Sequence, residues 1–182
     1  MLIIPKTPKF LGLSVGRLWN GKCSPDSRLL AFVEIQQTDE GILIRSTTPP
    51  LPGYKNPEVL PGTRLENIDA FEKICVFFVE ESGQYLEVKL GIGGQYLVLG
   101  FDKPLEEVAN FSDSNFKTSH QVFKDGRTVN DLVIPFELFP TNLRALNAFF
   151  TVGNQILAYH PLVGPEPNLH QPESFPFAKL EE

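Results

Sequence analysis

The sequence predicts an all-β fold, a two-sheet antiparallel β-sandwich. Apolar residues recur in short runs with a period of two, and helical periodicity is nearly absent. Glycine, proline, asparagine or aspartate ends most of these runs, as is typical of strand ends. The chain has 182 residues, 42% of them hydrophobic, which is enough to fill one core. Because no repeat or linker divides it, we expect a single domain over residues 1–182 with eight to eleven strands.

The clearest element is a β-hairpin over residues 80–99. Its first strand runs in the order Tyr85, Leu86, Glu87, Val88, Lys89 and Leu90. This alternation predicts one solvated face that carries the tyrosine, glutamate and lysine, and one buried face. Gly91, Gly93 and Gly94 are expected to supply positive φ angles for the reversal, and Tyr96 begins the returning strand. A phosphate-binding loop is excluded, because no helix start follows these glycines.

Seven further runs rich in Val, Ile, Leu and Phe predict strands. They cover residues 29–36, 42–47, 74–79, 129–134, 146–152, 155–159 and 177–180. Turns at residues 39–41 and 153–154 predict two antiparallel hairpins. Helix is expected only as one or two turns at residues 104–110 and 135–140, because both windows open with proline. The proline-rich segments 48–57 and 161–176 predict long loops at the ends of the sandwich.

Charge and composition exclude several classes of function. The formal net charge is -6 and the pI is near 5.1, and cations such as Arg17 and Arg28 are scattered singly, which argues against nucleic acid as a partner. No apolar stretch approaches the roughly 20 residues that span a bilayer, and the apolar run before Pro5 is too short for a secretory signal. We therefore expect a cytoplasmic protein with no membrane partner, in which Cys23 and Cys75 are free thiols.

No motif for catalysis or metal binding is present. The three histidines and two cysteines lack metal-ligand spacing, and the adjacent pairs at residues 80–81 and 106–107 cannot act as facing carboxylates. A non-enzymatic protein without a cofactor is therefore expected. Trp19 is expected at the edge of the core. Four other aromatic residues besides Tyr85 could meet a ligand but have no diagnostic spacing: Tyr54, Tyr96, Tyr159 and Phe175.

Three sequence blocks together carry a resemblance to a known family. They are Trp19-Asn20-Gly21, the span from Ile68 through Phe77-Phe78 and Tyr85-Leu86-Glu87-Val88 to Gly94, and the ending Pro167-Asn168-Leu169-His170-Gln171-Pro172-Glu173-Ser174-Phe175. In order and spacing they resemble the DOMON-like β-sandwiches of the family-9 carbohydrate-binding modules, including stand-alone members. The resemblance covers most of the chain and implies a β-sandwich that binds carbohydrate.

The departures from the family pattern fall at the sugar site. The family's second block usually opens with Leu-Trp and has a Glu six residues after the Trp. Asp69 and Cys75 occupy those places here, or Phe71 takes the Trp place if the alignment has a two-residue gap. The ending has Asn168 and Leu169 where the family has Asp and Phe. These changes imply a retained fold with an altered or lost sugar site.

The resulting hypothesis is a non-enzymatic module that binds a mono- or oligosaccharide near the loops. The candidate ligand-binding residues are Tyr54, Asp69, Glu72, Tyr85 and His170. Two other functions stay open. One is a protein-interaction module that docks through the proline-rich loops or a sheet edge. The other is a haem-binding or redox domain, in which Met1, the only methionine, could not supply an internal axial ligand, so that two histidines would be needed.

Overall fold

Two antiparallel β-sheets pack face to face in the computed structural model, which describes residues 1–182. The fourteen strands are β1 (Leu2–Ile4), β2 (Leu11–Val15), β3 (Arg17–Leu18), β4 (Ala31–Thr38), β5 (Gly41–Thr48), β6 (Lys73–Glu80), β7 (Tyr85–Gly91), β8 (Tyr96–Lys103), β9 (Glu106–Ala109), β10 (Lys117–Val122), β11 (Thr128–Ile134), β12 (Leu143–Val152), β13 (Gln155–Ala158) and β14 (Ala178–Leu180). Three single 3-10 turns, at Ile68–Ala70, Phe136–Leu138 and Pro172–Ser174, are the only helical segments.

Strand order defines the two layers of the sandwich. One sheet has five strands in the order β10-β11-β5-β4-β2, and the other has seven in the order β3-β13-β12-β6-β7-β8-β9. All pairings inside these sheets are antiparallel. A short parallel pair, β1 with β14, brings the two chain ends together beside the sandwich. The predicted two-sheet antiparallel sandwich is confirmed.

All nine predicted strands are present, but five more were not predicted. The missed strands β1, β2, β3, β9 and β10 are short or lie at sheet edges, where apolar alternation is weak. The helical prediction for residues 104–110 is wrong, because this segment forms the exposed edge strand β9. The second window does contain one 3-10 turn, Phe136–Leu138. The count of fourteen strands therefore exceeds the expected eight to eleven.

The protein has two apolar layers instead of the single core that the sequence predicted. Twenty-seven buried residues lie between the sheets, among them Phe78 and Phe150. Thirteen more, including Phe77 and Phe149, cover the outer face of the seven-stranded sheet beneath the loop residue Phe175. We call this second cluster the outer layer.

The outer layer corrects the prediction of a solvated hairpin face. Every residue of β7 is buried, and Tyr85, Glu87 and Lys89 on its supposedly solvated face are 3%, 2% and 6% exposed. Loop residues distant in sequence cover this face. The alternation along β7 therefore shows which residues share a face, but it does not predict which face is exposed to solvent.

Two glycines shape the β7–β8 turn in different ways. Gly94 alone among the three predicted positions has a positive φ, at 87°. Gly93 is required for space instead, because a Cβ built on it would lie 1.9 Å from Oδ1 of Asn56. The prediction that Gly91 and Gly93 also supply positive φ angles is wrong.

The two cysteines are free and differ sharply in exposure, Cys23 being exposed and Cys75 buried. Burial in the outer layer raises the pKa of the Cys75 thiol to about 12. We expect one thiol, Cys23, to react rapidly with a disulfide reagent in the native protein, and the second to react only after unfolding. Cys23→Ser should leave no rapid reaction, and two equally fast thiols in the native protein would contradict the buried placement.

Candidate functional site

Three charged side chains project into the apolar outer layer. Lys73 lies on β6, and Glu87 and Lys89 lie on β7, with side chains only 7%, 3% and 8% exposed. The β6–β7 register places Cys75 opposite Lys89 and Phe77 opposite Glu87, so these residues share one face of the sheet. Buried charges are unfavourable unless they are paired. The position of their partners is therefore a strong constraint on the covering loops.

Asp69 supplies the central partner. Nζ of Lys89 donates to both of its carboxylate oxygens, at 2.8 and 3.0 Å, and Nζ of Lys73 lies 3.3 Å from Oδ1. The adjacent Ile68 is fully buried in the outer layer and fixes the turn that carries Asp69. The Asp69 side chain is itself 64% exposed. The buried lysines are thus paired through a carboxylate that faces solvent.

At the other end of the cluster, a histidine and a tyrosine meet. The hydroxyl of Tyr85 lies 2.7 Å from Nδ1 of His170, whose Nε2 is 3.9 Å from Oε2 of Glu87. Oε1 of Glu87 is 3.6 Å from Nζ of Lys89. We call the continuous set of six residues the polar row: Asp69, Lys73, Lys89, Glu87, His170 and Tyr85.

Burial dominates the acid–base properties of the inner part of this row. It raises the pKa of Glu87 to about 7, because desolvation outweighs the attraction of Lys89. Burial and the charge of Lys89 also lower the pKa of His170. Oε2 of Glu87 is buried and has no hydrogen-bond partner. Glu87 therefore gains a proton more readily than an ordinary glutamate.

Ion pairing has the opposite effect at the solvent end. Burial alone would raise the pKa of Asp69, but the hydrogen bonds and charges of Lys89 and Lys73 outweigh it and lower that pKa. Burial alone would lower the pKa of Lys89, and the carboxylates of Glu87 and Asp69 reverse that effect. Asp69 is therefore held as a carboxylate with a fixed position.

A small polar cavity of about 120 Å³ opens beside Asp69. Seven residues line it: Asp69, Ala70, Phe71, Glu72, Lys73, Thr151 and Gly153. It combines two carboxylates, an ammonium group, a hydroxyl and one aromatic ring. Such groups can donate to and accept from the hydroxyls of a neutral polar ligand. We call this space the Asp69 cavity.

The structure brings together four of the five candidate residues. Asp69, Tyr85 and His170 belong to the polar row, and Glu72 lines the Asp69 cavity. Tyr54 is not part of the polar row, but it lies close enough to Glu72 for the charge of that carboxylate to act on it, and its hydroxyl accepts a hydrogen bond from the backbone N–H of Gly93 at 3.2 Å. Burial raises the pKa of this tyrosine.

Sequence reasoning missed Lys73, Glu87 and Lys89. Glu87 and Lys89 were expected on a solvated face, and no role was predicted for Lys73, although Lys73 and Glu87 each adjoin apolar residues. One signal of their burial was available in the sequence. Glu87 and Lys89 lie two residues apart in a strand whose neighbouring residues are apolar. Trp19 was expected at the edge of the core, and it is partly buried against the outer layer.

The structure shows no group of three or more His, Cys, Asp or Glu side chains placed to hold a metal ion. It also contains no helix with the length and apolarity needed to span a lipid bilayer. Of the histidines, His120 is hydrogen-bonded to Asn130 and His170 to Tyr85.

Comparison with solved structures identifies similar folds. A Bacteroides uniformis protein to which carbohydrate binding is ascribed has a TM-score of 0.73 at 13% identity, over 94% of this chain and 87% of its own. A family-9 carbohydrate-binding module from Caldicellulosiruptor kristjanssonii in complex with cellotriose has a TM-score of 0.60 at 11% identity, over 99% and 93%. The glucose complex of a module from the same organism gives 0.58 at 12% identity, over 99% and 95%. No family model and no curated protein matches the sequence. The fold is that of a carbohydrate-binding module.

The raised pKa of Glu87 predicts a pH dependence of stability. Between its ordinary pKa of 4.5 and about 7, the folded protein binds more protons at this site than the unfolded chain. The free energy of unfolding should therefore fall as the pH rises through this range. Glu87→Gln should remove on the order of 1–3 kcal/mol of that fall, measured by urea unfolding at pH 5 and pH 8.

The matched control is Glu107→Gln, on the exposed strand β9. It should keep the pH dependence of the wild-type protein. His170, whose lowered pKa gives the opposite slope, is present in all three proteins. An unchanged slope in Glu87→Gln would refute the assignment.

Proposed function

We propose that this protein is a non-catalytic carbohydrate-binding protein whose sugar site is the Asp69 cavity. The observation that carries the proposal is the fixed carboxylate of Asp69, exposed to solvent while two otherwise buried lysines hold it. The similarity of the fold to modules solved with cellotriose and glucose supports the same function. At such low identity only the fold is shared.

The groups around the cavity suit sugar hydroxyls. Asp69 and Glu72 offer carboxylate acceptors, and Thr151 offers a hydroxyl that can donate or accept. Lys89 and Lys73 restrict Asp69 to one position, which reduces the entropy lost when a ligand binds. The opening accommodates part of one sugar ring, so we propose the terminal unit of an oligosaccharide as the ligand.

The Asp69 cavity has little aromatic surface on which a sugar ring could stack. Phe71 is the only aromatic residue that lines the cavity. Tyr85, a second candidate for stacking, is buried and stacks on Phe101 with a centroid distance of 4.9 Å. A sugar would therefore meet one ring instead of a pair, and the expected affinity is low.

A binding role fits the carboxylates better than catalysis does. A general acid needs a raised pKa and contact with the ligand. Glu87 has the raised pKa, but its side chain is 3% exposed and does not line the cavity. Asp69 lines the cavity, but its pKa is lowered.

We prefer sugar binding to docking through the second proline-rich loop. Two of its residues, Leu162 and Phe175, are buried in the outer layer. Pro172 is also buried. These contacts use the loop's apolar side chains to cover the sheet, which leaves fewer of them for a partner protein.

Titration calorimetry with cellotriose and glucose tests the proposal. We expect weak binding of cellotriose, and a loss of at least tenfold in affinity for Asp69→Asn, because the amide removes the charge that accepts sugar hydroxyls. Asp125→Asn, in an exposed pair with Arg127, should leave binding unchanged. A wild-type protein that binds neither sugar would refute the proposal, as would equal affinity in Asp69→Asn.

Enlarging the aromatic surface should strengthen binding. Phe71→Trp places a larger ring at the wall of the cavity and should raise the affinity for cellotriose about tenfold, the factor that about 1.4 kcal/mol represents. Phe123→Trp, far along the chain on an exposed segment beside Arg127, is the control and should have no effect. An equal gain in both variants would show that the extra ring acts nonspecifically.

A further inference from the structure

Arg17 differs from the other five arginines of the chain. Four of them pair with a carboxylate, Arg28, Arg45, Arg64 and Arg127. Arg144 donates to the backbone oxygen of Pro172. The guanidinium of Arg17 has no acceptor within the protein, although it carries five N–H donors.

Arg17 lines an open cavity of about 430 Å³. The cavity lies where the chain passes from β2 in the five-stranded sheet to β3 in the seven-stranded sheet, through the single residue Gly16. Its other lining residues are Ser14, Gly16, Cys23, Ser24, Ser27, Leu30, Ala158 and Tyr159. None of them lines the Asp69 cavity, so the two spaces are separate.

The charge of this cavity is positive and unshared. No carboxylate is among its lining residues. The nearby Asp26 is held by Arg28, whose Nε and Nη2 donate to its two carboxylate oxygens at 2.9 and 2.8 Å. Arg17 is exposed, so its unpaired guanidinium beside the cavity is free to bind an anion from solution.

The remaining lining groups define what the anion carries. Ser14, Ser27 and Tyr159 bring hydroxyls to the cavity, and Leu30, Ala158 and the Tyr159 ring bring apolar surface. Gly16 lets Leu30 approach closely, since a Cβ on Gly16 would lie 2.7 Å from Cδ1 of Leu30. A ligand with hydroxyl groups and an apolar C–H face matches this combination.

We propose that the Arg17 cavity is a second ligand site, which binds a small hydroxylated carboxylate of the sugar-acid class. The planar guanidinium binds the carboxylate through two parallel hydrogen bonds, and the serine hydroxyls meet the ligand hydroxyls. One arginine supplies a single positive charge, which suits a carboxylate better than a dianionic phosphate. This site does not depend on the sugar site at Asp69.

The test uses the full chain and three probes, glucuronate, glucose and inorganic phosphate, in titration calorimetry. We expect glucuronate to bind and glucose and phosphate to bind at least tenfold more weakly at this site. Arg17→Gln should reduce the affinity for glucuronate at least tenfold. Arg127→Gln, which alters an exposed arginine that does not line this cavity, should leave glucuronate binding unchanged.

The reactivity of Cys23 provides an independent measurement of ligand binding. Cys23 lines the same cavity and is the antiparallel β-bridge partner of Arg17. Bound glucuronate should slow the alkylation of Cys23 in the wild-type protein and not in Arg17→Gln. The proposal is overturned if glucuronate does not bind, if Arg17→Gln binds it equally well, or if phosphate or glucose protects Cys23 from alkylation at the same concentrations as glucuronate. Glucuronate that binds without protecting Cys23 would lie outside this cavity and overturn the proposal as well.

Discussion

The pairing of two buried lysines with Asp69 is the constraint on which the outer side of this protein depends. Lys73 and Lys89 are fixed on central strands of the seven-stranded sheet, and the outer layer removes both from water. Breaking a buried ion pair by removing one partner typically costs 3–5 kcal/mol. The partner comes from a 3-10 turn, Ile68–Ala70, whose isoleucine is buried beside it. Charge pairing and apolar contact therefore fix the same loop.

The loops perform a task that helices perform in α/β proteins. A sheet buried on both faces is usual for parallel strands covered by helices. Here the sheet is antiparallel, and residues such as Ile68, Leu162 and Phe175 cover its second face. Many prolines suit this role, because a fixed φ reduces the entropy that a long loop loses on becoming ordered. Leu162 and Phe175 of the second proline-rich segment thus belong to the packed structure, whereas residues 163–168 between them are exposed.

Features that depend on residues close in sequence were predicted, and features that depend on residues distant in sequence were not. Strands such as β4 and β12 carry their apolar pattern locally, and they were predicted from it. β10, at the edge of the five-stranded sheet, has the polar sequence KTSHQV and no local signal. The burial of Glu87 and Lys89 was missed because it depends on loops about 20 and 80 residues away, at Asp69 and His170. Periodicity reveals which residues share a face, but not what covers that face.

The polar row also explains why the tryptophan that the resemblance implies cannot simply be placed at position 69. The resemblance expects a tryptophan at Asp69 in the ungapped alignment, yet here that side chain neutralises Lys73 and Lys89. A tryptophan there would leave two buried ammonium groups without their shared carboxylate, and Glu87, 3.6 Å from Lys89, would be the one acid left within ion-pair distance of either. The side chain of Phe71 neutralises no charge, and it lines the Asp69 cavity. Ion pairing therefore requires a carboxylate at position 69, whereas the ring at position 71 can be replaced by a larger one without breaking an ion pair.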